Sequence, residues 1–108
     1  MNRPEQGEVW WADLPEPAGR RPVVVLTRSD AIPVLANVTV APLTRSIRGI
    51  PTEVELTEAH GVPTRSAVSL DNILTVPQSD LVSRIVVLDA DTMNAVFEAI
   101  HRAFGMPF

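Results

Sequence analysis

Two short polar segments of this chain together supply a carboxylate, guanidinium groups and a hydroxyl group. The first spans residues 16–22 and contains Glu16 and Arg21, and the second is Thr44-Arg45-Ser46. A carboxylate such as Glu16 can accept the proton of an RNA 2′-hydroxyl group. Arg21 can neutralise the charge that grows on the phosphate oxygens, and Thr44 can donate a hydrogen bond to the same group. These residue types suffice for metal-free phosphodiester cleavage if the fold brings the two segments together.

The apolar runs beside these segments predict how they meet. Residues 22–27 form a continuous β-branched run, and residues 38–43 form a second strand that ends just before Thr44. If the two strands pair antiparallel, the start of one lies beside the end of the other, and Arg21 and Thr44 share one rim. A strand end capped by a salt bridge is the structural alternative, and local spacing leaves both interpretations open.

The other short runs predict a mainly β domain over residues 1–108. Trp10 and Trp11 are adjacent in a strand predicted over residues 8–14 and must point to opposite faces. One of them could stack on a base, but partial burial of both is the simpler interpretation. Pro42 suggests an edge or a bulge. Residues 52–56 alternate, with Glu53 and Glu55 facing outward. Further strands are expected at residues 67–70 and 73–76, either as one bent strand or as two, and at residues 83–88.

The last segment has helical periodicity. One apolar stripe is predicted at Met93, Val96, Phe97, Ile100 and Phe104. Candidates for the N-cap are Asp89 and Asp91, and the predicted end is marked by Gly105 and Pro107. Six or seven short strands and one terminal helix, which covers the open face of the sheet, indicate a small curled β-barrel.

Composition excludes several classes of function. The 108 residues include no Cys, which removes disulfides, thiolate zinc sites and thiol catalysis. No apolar run approaches the length of a membrane span, and residues 1–7 lack the apolar core of a signal peptide, so we expect a cytoplasmic protein. The two His have no metal-ligand spacing: His60 reads as a solvated loop residue and His101 as a helix-end residue. No metal and no cofactor are therefore expected.

The charge is unevenly distributed. The formal net charge is -4, yet residues 17–52 carry five Arg and one acid, a net charge of +4. Arg presents a planar fork of donors that fits phosphate. Scattered solvated arginines remain the alternative interpretation on composition alone.

Four blocks of sequence share their order and spacing with a known family. They are Gly7-Glu8-Val9-Trp10 with Ala12-Asp13-Leu14; EPAGRRPVVVL at residues 16–26; Val40-Ala41-Pro42-Leu43-Thr44 with IPTEV at residues 50–54; and SAVSLDN at residues 66–72. With these blocks, residues 81–85 and the terminal helix, nearly the whole chain resembles the MazF/PemK family of toxin–antitoxin endoribonucleases. Two departures are Gln6 in place of an Arg, and a shorter loop in which Pro17 follows Glu16.

The resemblance implies an SH3-like β-barrel that forms a homodimer and cuts single-stranded RNA at short motifs without a metal. Its products would carry a 2′,3′-cyclic phosphate or 3′-phosphate and a 5′-hydroxyl. By position, Arg21 and Thr44 match the family's main catalytic residues, and Glu16 matches a carboxylate that acts as the base in some members. Asp71 and Asn72 fall where the family places residues that contact RNA or shape the site. We interpret Arg20, Arg45, Ser46 and Arg48 as further RNA contacts.

Partners and alternatives follow from the same resemblance. It implies a short antitoxin protein whose tail orders along the RNA-binding groove, where an acidic tail would compete with RNA for the arginines. A gyrase-poisoning toxin of the CcdB type uses the same barrel but depends on a Trp-Gly-Ile ending, whereas this chain ends Gly105-Met106-Pro107-Phe108. A barrel that binds peptide or nucleic acid without catalysis is the third interpretation.

Overall fold

A computed structural model describes residues 3–106, which form a seven-stranded antiparallel sheet and one C-terminal helix. The strands are β1 (Glu8–Asp13), β2 (Arg20–Val25), β3 (Asn37–Thr44), β4 (Glu53–Leu56), β5 (Ser66–Ser69), β6 (Leu74–Pro77) and β7 (Leu81–Val87). The helix α1 spans Ala90–Ala103. The predicted mainly β architecture with a terminal helix is confirmed, and the two apolar runs after Ser66 form two separate strands.

The sheet is open where the sequence analysis expected a barrel. Its strand order is β4-β5-β3-β2-β1-β7, with β6 also paired to β3, so that among residues 3–106 the path ends at β4 and at β7. The segment after β4 meets β7 through side chains instead of a hydrogen-bonded ladder. A Cβ placed on Gly61 would lie 2.7 Å from Cγ2 of Val86. The two ends of the sheet are therefore close at this point without being paired.

Strand β3 is central, and Pro42 does not mark an edge. On one side Val23 of β2 pairs with Pro42. On the other side residues 37–40 pair with β6 and residues 43–44 pair with β5. Pro42, which has no N–H to donate, falls where β3 changes partner. The proline thus occupies a gap between two ladders, and the expectation of an edge or bulge is wrong.

Two apolar clusters lie on opposite faces of the sheet. Neighbouring residues of β1 contribute to different clusters, Val9 to the one beneath α1 and Trp10 to the other. Met93, Val96 and Ala99 of α1 are buried against the first cluster, so the helix covers one face as expected.

The buried face of α1 is narrower than the predicted stripe. Phe97 is 36% exposed and Phe104 is 63% exposed, so these two members of the predicted stripe are not buried against the sheet. Asp89, not Asp91, is the N-cap, because its side chain accepts the Thr92 N–H at 2.8 Å. Gly105 follows the helix with φ +66°, while Pro107 lies outside the described residues. Between residues 3 and 106, no helix is both long and apolar enough to span a bilayer.

Candidate nucleic-acid site

The antiparallel pairing of β2 with β3 brings Arg21 and Thr44 to one rim. Val23 pairs with Pro42, and the same register continued by two residues sets Arg21 opposite Thr44. The two residues also line the same two cavities. The sequence-based prediction that these residues meet is therefore confirmed.

One cavity, which we call the Trp11 pocket, has a volume of about 390 Å³. The other, the Leu14 pocket, has a volume of about 330 Å³. Three residues, Arg21, Thr44 and Ser46, line both. The Trp11 pocket is completed by Trp11, Arg20, Pro22, Leu43, Arg45, Pro63, Thr64 and Ser66, and the Leu14 pocket by Leu14, Ala18, Pro42, Arg48, Ser69, Asn72 and Leu74. Neither lining contains an acidic residue, so an anion would meet only arginines and neutral groups there.

Arg21 is half-buried, and its Nε is buried without a hydrogen-bond partner among residues 3–106. Buried donors are nearly always satisfied in folded proteins, so an unpaired guanidinium N–H calls for a functional explanation. An anionic oxygen in either pocket is the kind of acceptor that this group lacks.

Thr44 is oriented by a local hydrogen bond. Its Oγ1 accepts the backbone N–H of Ser46 at 3.1 Å. Since the oxygen is used as an acceptor, the hydroxyl proton of Thr44 remains available for a second partner. The side chain is half-buried at the rim, where that partner can be a ligand in either pocket.

Arg20 is the residue to which the salt-bridge interpretation applies. Its Nε lies 2.8 Å from Oδ1 of Asp13, directly across the β1–β2 ladder. The hydrogen bond that Arg20 donates to Asp13, followed by the negative charge of Asp13, raises the pKa of Arg20. Arg45 is exposed and lines the same Trp11 pocket. Besides Arg21, the Trp11 pocket therefore contains one arginine that is already paired and another that is exposed.

Glu16 lies in the exposed turn between β1 and β2. Its Oε2 is 3.2 Å from the position that a Cβ on Gly19 would take, so the carboxylate folds back over the turn. The linings of the two pockets do not include it. The structure thus brings Arg21 and Thr44 together but leaves Glu16 beside them in the adjoining loop.

Side-chain hydrogen bonds fix the turn after β5, both within the turn and to the segment at residues 48–53. Oδ2 of Asp71 accepts the Thr52 hydroxyl at 2.5 Å, and Nδ2 of Asn72 donates to Oγ of Ser69 at 2.7 Å. Asn72 lines the Leu14 pocket, whereas the pocket lining does not include Asp71. Asn72 is therefore placed to meet a ligand, and Asp71 secures the wall behind it.

Glu53 was expected to face solvent, and this is wrong. Its side chain is only 4% exposed. Oε1 accepts the backbone N–H of Arg48 at 2.9 Å, because the loop before β4 folds over the outer face of the strand. The alternating pattern identified the correct face of the strand but contained no signal that the loop covers it.

The two Trp side chains have different surroundings. Trp10 is buried, and its Nε1 donates to Oε1 of the buried Glu8 at 2.9 Å. Oε2 of Glu8 accepts from Arg84 at 3.1 Å, so this carboxylate is paired. Trp11 is half-buried and forms one wall of the Trp11 pocket.

The two histidines line neither of the two pockets. His60 is not a solvated loop residue, because its Nδ1 accepts the Thr57 N–H at 3.0 Å in a capping box. His101 lies in the last turn of α1, as expected. Within residues 3–106, no group of three His, Asp or Glu side chains is placed to hold a metal ion. Two larger cavities, of about 520 and 1000 Å³, lie around Arg3, Pro4 and Arg84 and contain none of the predicted site residues.

Comparisons with known proteins agree with this geometry. Residues 5–104 match the family described as PemK-like, MazF-like toxin of type II toxin–antitoxin system. The chain is 46% identical over 101 residues to probable endoribonuclease MazF5 of Mycobacterium tuberculosis, covering 93% of this chain and 92% of the relative. The solved structure of M. tuberculosis toxin MazF-mt6 matches with a TM-score of 0.86 and 40% identity, over 94% of this chain and 99% of that one.

A second solved structure is an endoribonuclease in complex with its cognate antitoxin from a mycobacterial species. It matches with a TM-score of 0.87 and 28% identity, over 97% of this chain and 98% of that one. The family match spans all seven strands and the helix, including the rim where Arg21 and Thr44 meet. The chain belongs to the PemK-like, MazF-like toxin family of type II toxin–antitoxin systems.

Proposed function

We propose that this protein is a sequence-specific endoribonuclease toxin that cuts single-stranded RNA without a metal ion. The observation that carries the proposal is the pairing of Arg21 and Thr44 at the junction of two pockets whose linings contain no acid. Relatives named as endoribonucleases support the activity. Divalent cations in phosphoryl chemistry are held by carboxylates, and neither lining supplies one, which supports a mechanism based on Arg and Thr.

In the proposed reaction, the 2′-hydroxyl oxygen attacks the adjacent phosphorus and the bond to the 5′-oxygen breaks. The products are a 2′,3′-cyclic phosphate, which water can open to a 3′-phosphate, and a 5′-hydroxyl that takes a proton from solvent. Arg21 stabilises the charge on the non-bridging oxygens through its unpaired guanidinium donor. Thr44 donates its free hydroxyl proton to the same oxygens.

Glu16 is proposed as the acceptor of the 2′-hydroxyl proton. Its loop borders the Leu14 pocket through Leu14 and Ala18, so the carboxylate lies on a segment next to Arg21. Because its side chain folds over Gly19, it must turn toward the rim when RNA binds. Of the three proposed catalytic residues, Glu16 is the one that has to move.

The flanking residues are proposed to hold RNA. Arg20 and Arg45 in the Trp11 pocket and Arg48 in the Leu14 pocket would contact phosphates. Ser46 lines both pockets, and Asn72 offers an amide to a base edge. Asp71 is proposed to shape the site through Thr52. Trp11 presents an aromatic wall on which a base can stack.

The partners follow the family. We propose that a cognate antitoxin blocks the arginine-lined pockets with an acidic segment, that the toxin acts as a homodimer, and that it works in the cytoplasm. The structure of an endoribonuclease relative with its cognate antitoxin supports the first of these. Since both RNA and such a segment would bind through charge, high salt should weaken both complexes.

Cleavage of a single-stranded RNA pool in EDTA tests the proposal. Wild-type protein should produce fragments with 5′-hydroxyl ends, which are detected because kinase labels them without prior phosphatase treatment. Arg21→Ala should reduce kcat by about 10²-fold or more, as expected for loss of one transition-state donor. Sequencing of the labelled ends would then give the cleavage motif.

The matched control is Arg28→Ala. Arg28 is exposed, pairs with Asp30 at 3.2 Å, and is absent from the linings of both pockets. This variant should cut within about twofold of the wild type, because surface ion pairs contribute little. Equal activity of Arg21→Ala and wild type would show that the site is wrongly assigned. RNA left intact by wild type, together with stalled gyrase, would favour the CcdB-type alternative.

A further inference from the structure

Glu53 is a buried carboxylate that, within residues 3–106, contacts both the backbone and the guanidinium group of Arg48. Its side chain is 4% exposed, at the first position of β4. Oε1 accepts the backbone N–H of Arg48 at 2.9 Å. Oε2 is buried, has no hydrogen-bond partner among residues 3–106, and lies 3.8 Å from Nε of Arg48. A buried carboxylate needs compensation, and here the backbone and the guanidinium of Arg48 provide it.

Arg48 extends from that contact into the Leu14 pocket. Its side chain is 66% exposed, and it lines this pocket together with Arg21 and Thr44. A guanidinium group has five N–H donors, one on Nε and four on the two terminal nitrogens. With the Nε edge held near Glu53, the terminal nitrogens are left for a phosphate oxygen. One arginine can therefore contact the carboxylate and the RNA at the same time.

The two ends of the 48–53 segment differ in how firmly they are held. The Thr52 end is fixed to the turn after β5, because Leu70 N–H donates to its carbonyl at 3.0 Å and its hydroxyl donates to Asp71. The Arg48 end turns through Gly49, whose φ is +66°. There the backbone N–H of Arg48 donates to Oε1 of Glu53. The carboxylate thus connects the Arg48 end of the segment to β4.

We propose that Glu53 is a positioning residue that holds Arg48 in the orientation in which it contacts an RNA phosphate. The inference rests on the proposed function and extends it to a residue that touches no substrate. The expected change in RNA affinity is opposite in direction to the one that charge alone would cause. Removal of a negative charge near a polyanion should tighten binding by simple electrostatics, whereas loss of a positioning group should weaken it.

The test is Glu53→Gln, measured by the affinity for a single-stranded RNA whose cleavage is blocked by 2′-deoxy substitution. Gln keeps an oxygen for the Arg48 N–H, so the charge is the main change. We expect Kd to rise roughly three- to tenfold, a fraction of what a charge-assisted contact contributes. On cleavable RNA, KM should rise while kcat stays within about twofold, because Arg21 and Thr44 are unchanged.

A double-mutant cycle separates positioning from general destabilisation. In an Arg48→Ala background, Glu53→Gln should have no further effect on Kd, since the group that it positions is gone. Arg48→Ala alone should reduce the slope of log K against log salt concentration by about 0.7, the loss of one phosphate contact to a single strand. An equal effect of Glu53→Gln in both backgrounds would overturn the proposal.

The matched control is Glu55→Gln. Glu55 lies two residues along the same strand, is exposed, and pairs with Arg65 at 2.5 Å. Loss of its charge should leave Kd within about twofold of the wild type. If Glu53→Gln does not fold, Arg48→Lys tests the same geometry, because Lys keeps the charge but lacks the Nε edge. It should weaken binding several-fold, and unchanged affinity would overturn the proposal.

Different results would refute the proposed function and the role of Glu53. Wild-type protein that neither binds nor cuts RNA would refute the proposed function and, with it, this inference. Wild-type protein that cuts RNA, with Glu53→Gln binding as tightly or more tightly, would refute the role of Glu53 alone.

Discussion

Thr44→Val tests the proposed catalytic rim most sharply, because valine keeps the shape of threonine and removes only the hydroxyl group. The oxygen of that hydroxyl group accepts the Ser46 N–H at 3.1 Å. Ser46 is exposed, so its amide can turn to water, and the loss of folding free energy should stay below about 1 kcal/mol. The kinetic loss should be far larger. Removal of one donor to the developing phosphate charge lowers kcat by about 10²–10³-fold, or about 3–4 kcal/mol.

The assay is single-turnover cleavage of a quenched fluorescent RNA oligonucleotide, with thermal melting measured on the same samples. Thr44→Ser keeps the hydroxyl and should retain activity within about tenfold of the wild type. Thr39→Val is the matched control on the same strand, since the Thr39 hydroxyl bonds Oγ1 of Thr75 at 3.1 Å and lies outside both pocket linings. It should cut like the wild type. If Thr44→Val keeps more than about a tenth of wild-type kcat, the assignment of its hydroxyl to the phosphate is refuted.

Two further predictions concern stability and are measured by denaturant or thermal unfolding. Gly61→Ala should cost about 2–4 kcal/mol, since φ is +93° and the new Cβ would lie 2.7 Å from Cγ2 of Val86. Gly49→Ala has open space around its Cβ and should lose only the backbone part, about 1–2 kcal/mol, so equal losses would contradict the clash. Asp89→Ala should lower Tm at neutral pH, because the Thr92 N–H holds the pKa of Asp89 below its ordinary value of 3.8. That stabilisation is complete above the ordinary pKa and is lost as pH falls through the lower folded-state pKa. The Tm difference should therefore shrink as pH falls below 3.8, and a pH-independent difference would refute the cap.

The placement of Arg21 and Thr44 at one rim was predictable because it depends on the pairing of β2 with β3. Two β-branched runs separated by a connection long enough to reverse the chain pair antiparallel, and that register determines that Arg21 meets Thr44. The position of Glu16 was less predictable. Its loop contains Pro15, Pro17 and Gly19, and the backbone path of such a turn is set by local geometry that residue spacing does not encode.

The errors arose where another segment of the chain decides burial. The alternation of Glu53 with Val54 gives the face of a strand but not the loop that covers it. The helical spacing of Phe97 and Phe104 gives a stripe, but the width of the sheet beneath α1 decides how much of it is buried. The error at Pro42 concerns strand pairing, which also depends on other segments. A central strand tolerates proline where its neighbours on one side separate.

The change of partner along β3 has a consequence for how such a toxin can diversify. Strands β5 and β6 separate beside Pro42, and the Leu14 pocket lies in that opening, lined by Ser69 at the end of β5 and Leu74 at the start of β6. Of the four-residue connection at 70–73, Asn72 lines the Leu14 pocket, whereas Arg21 and Thr44 belong to the paired strands β2 and β3. Substitution of Asn72 can change the lining of the pocket while the proposed catalytic pair stays in register, so the proposed recognition and chemistry would lie on separable parts of one small sheet.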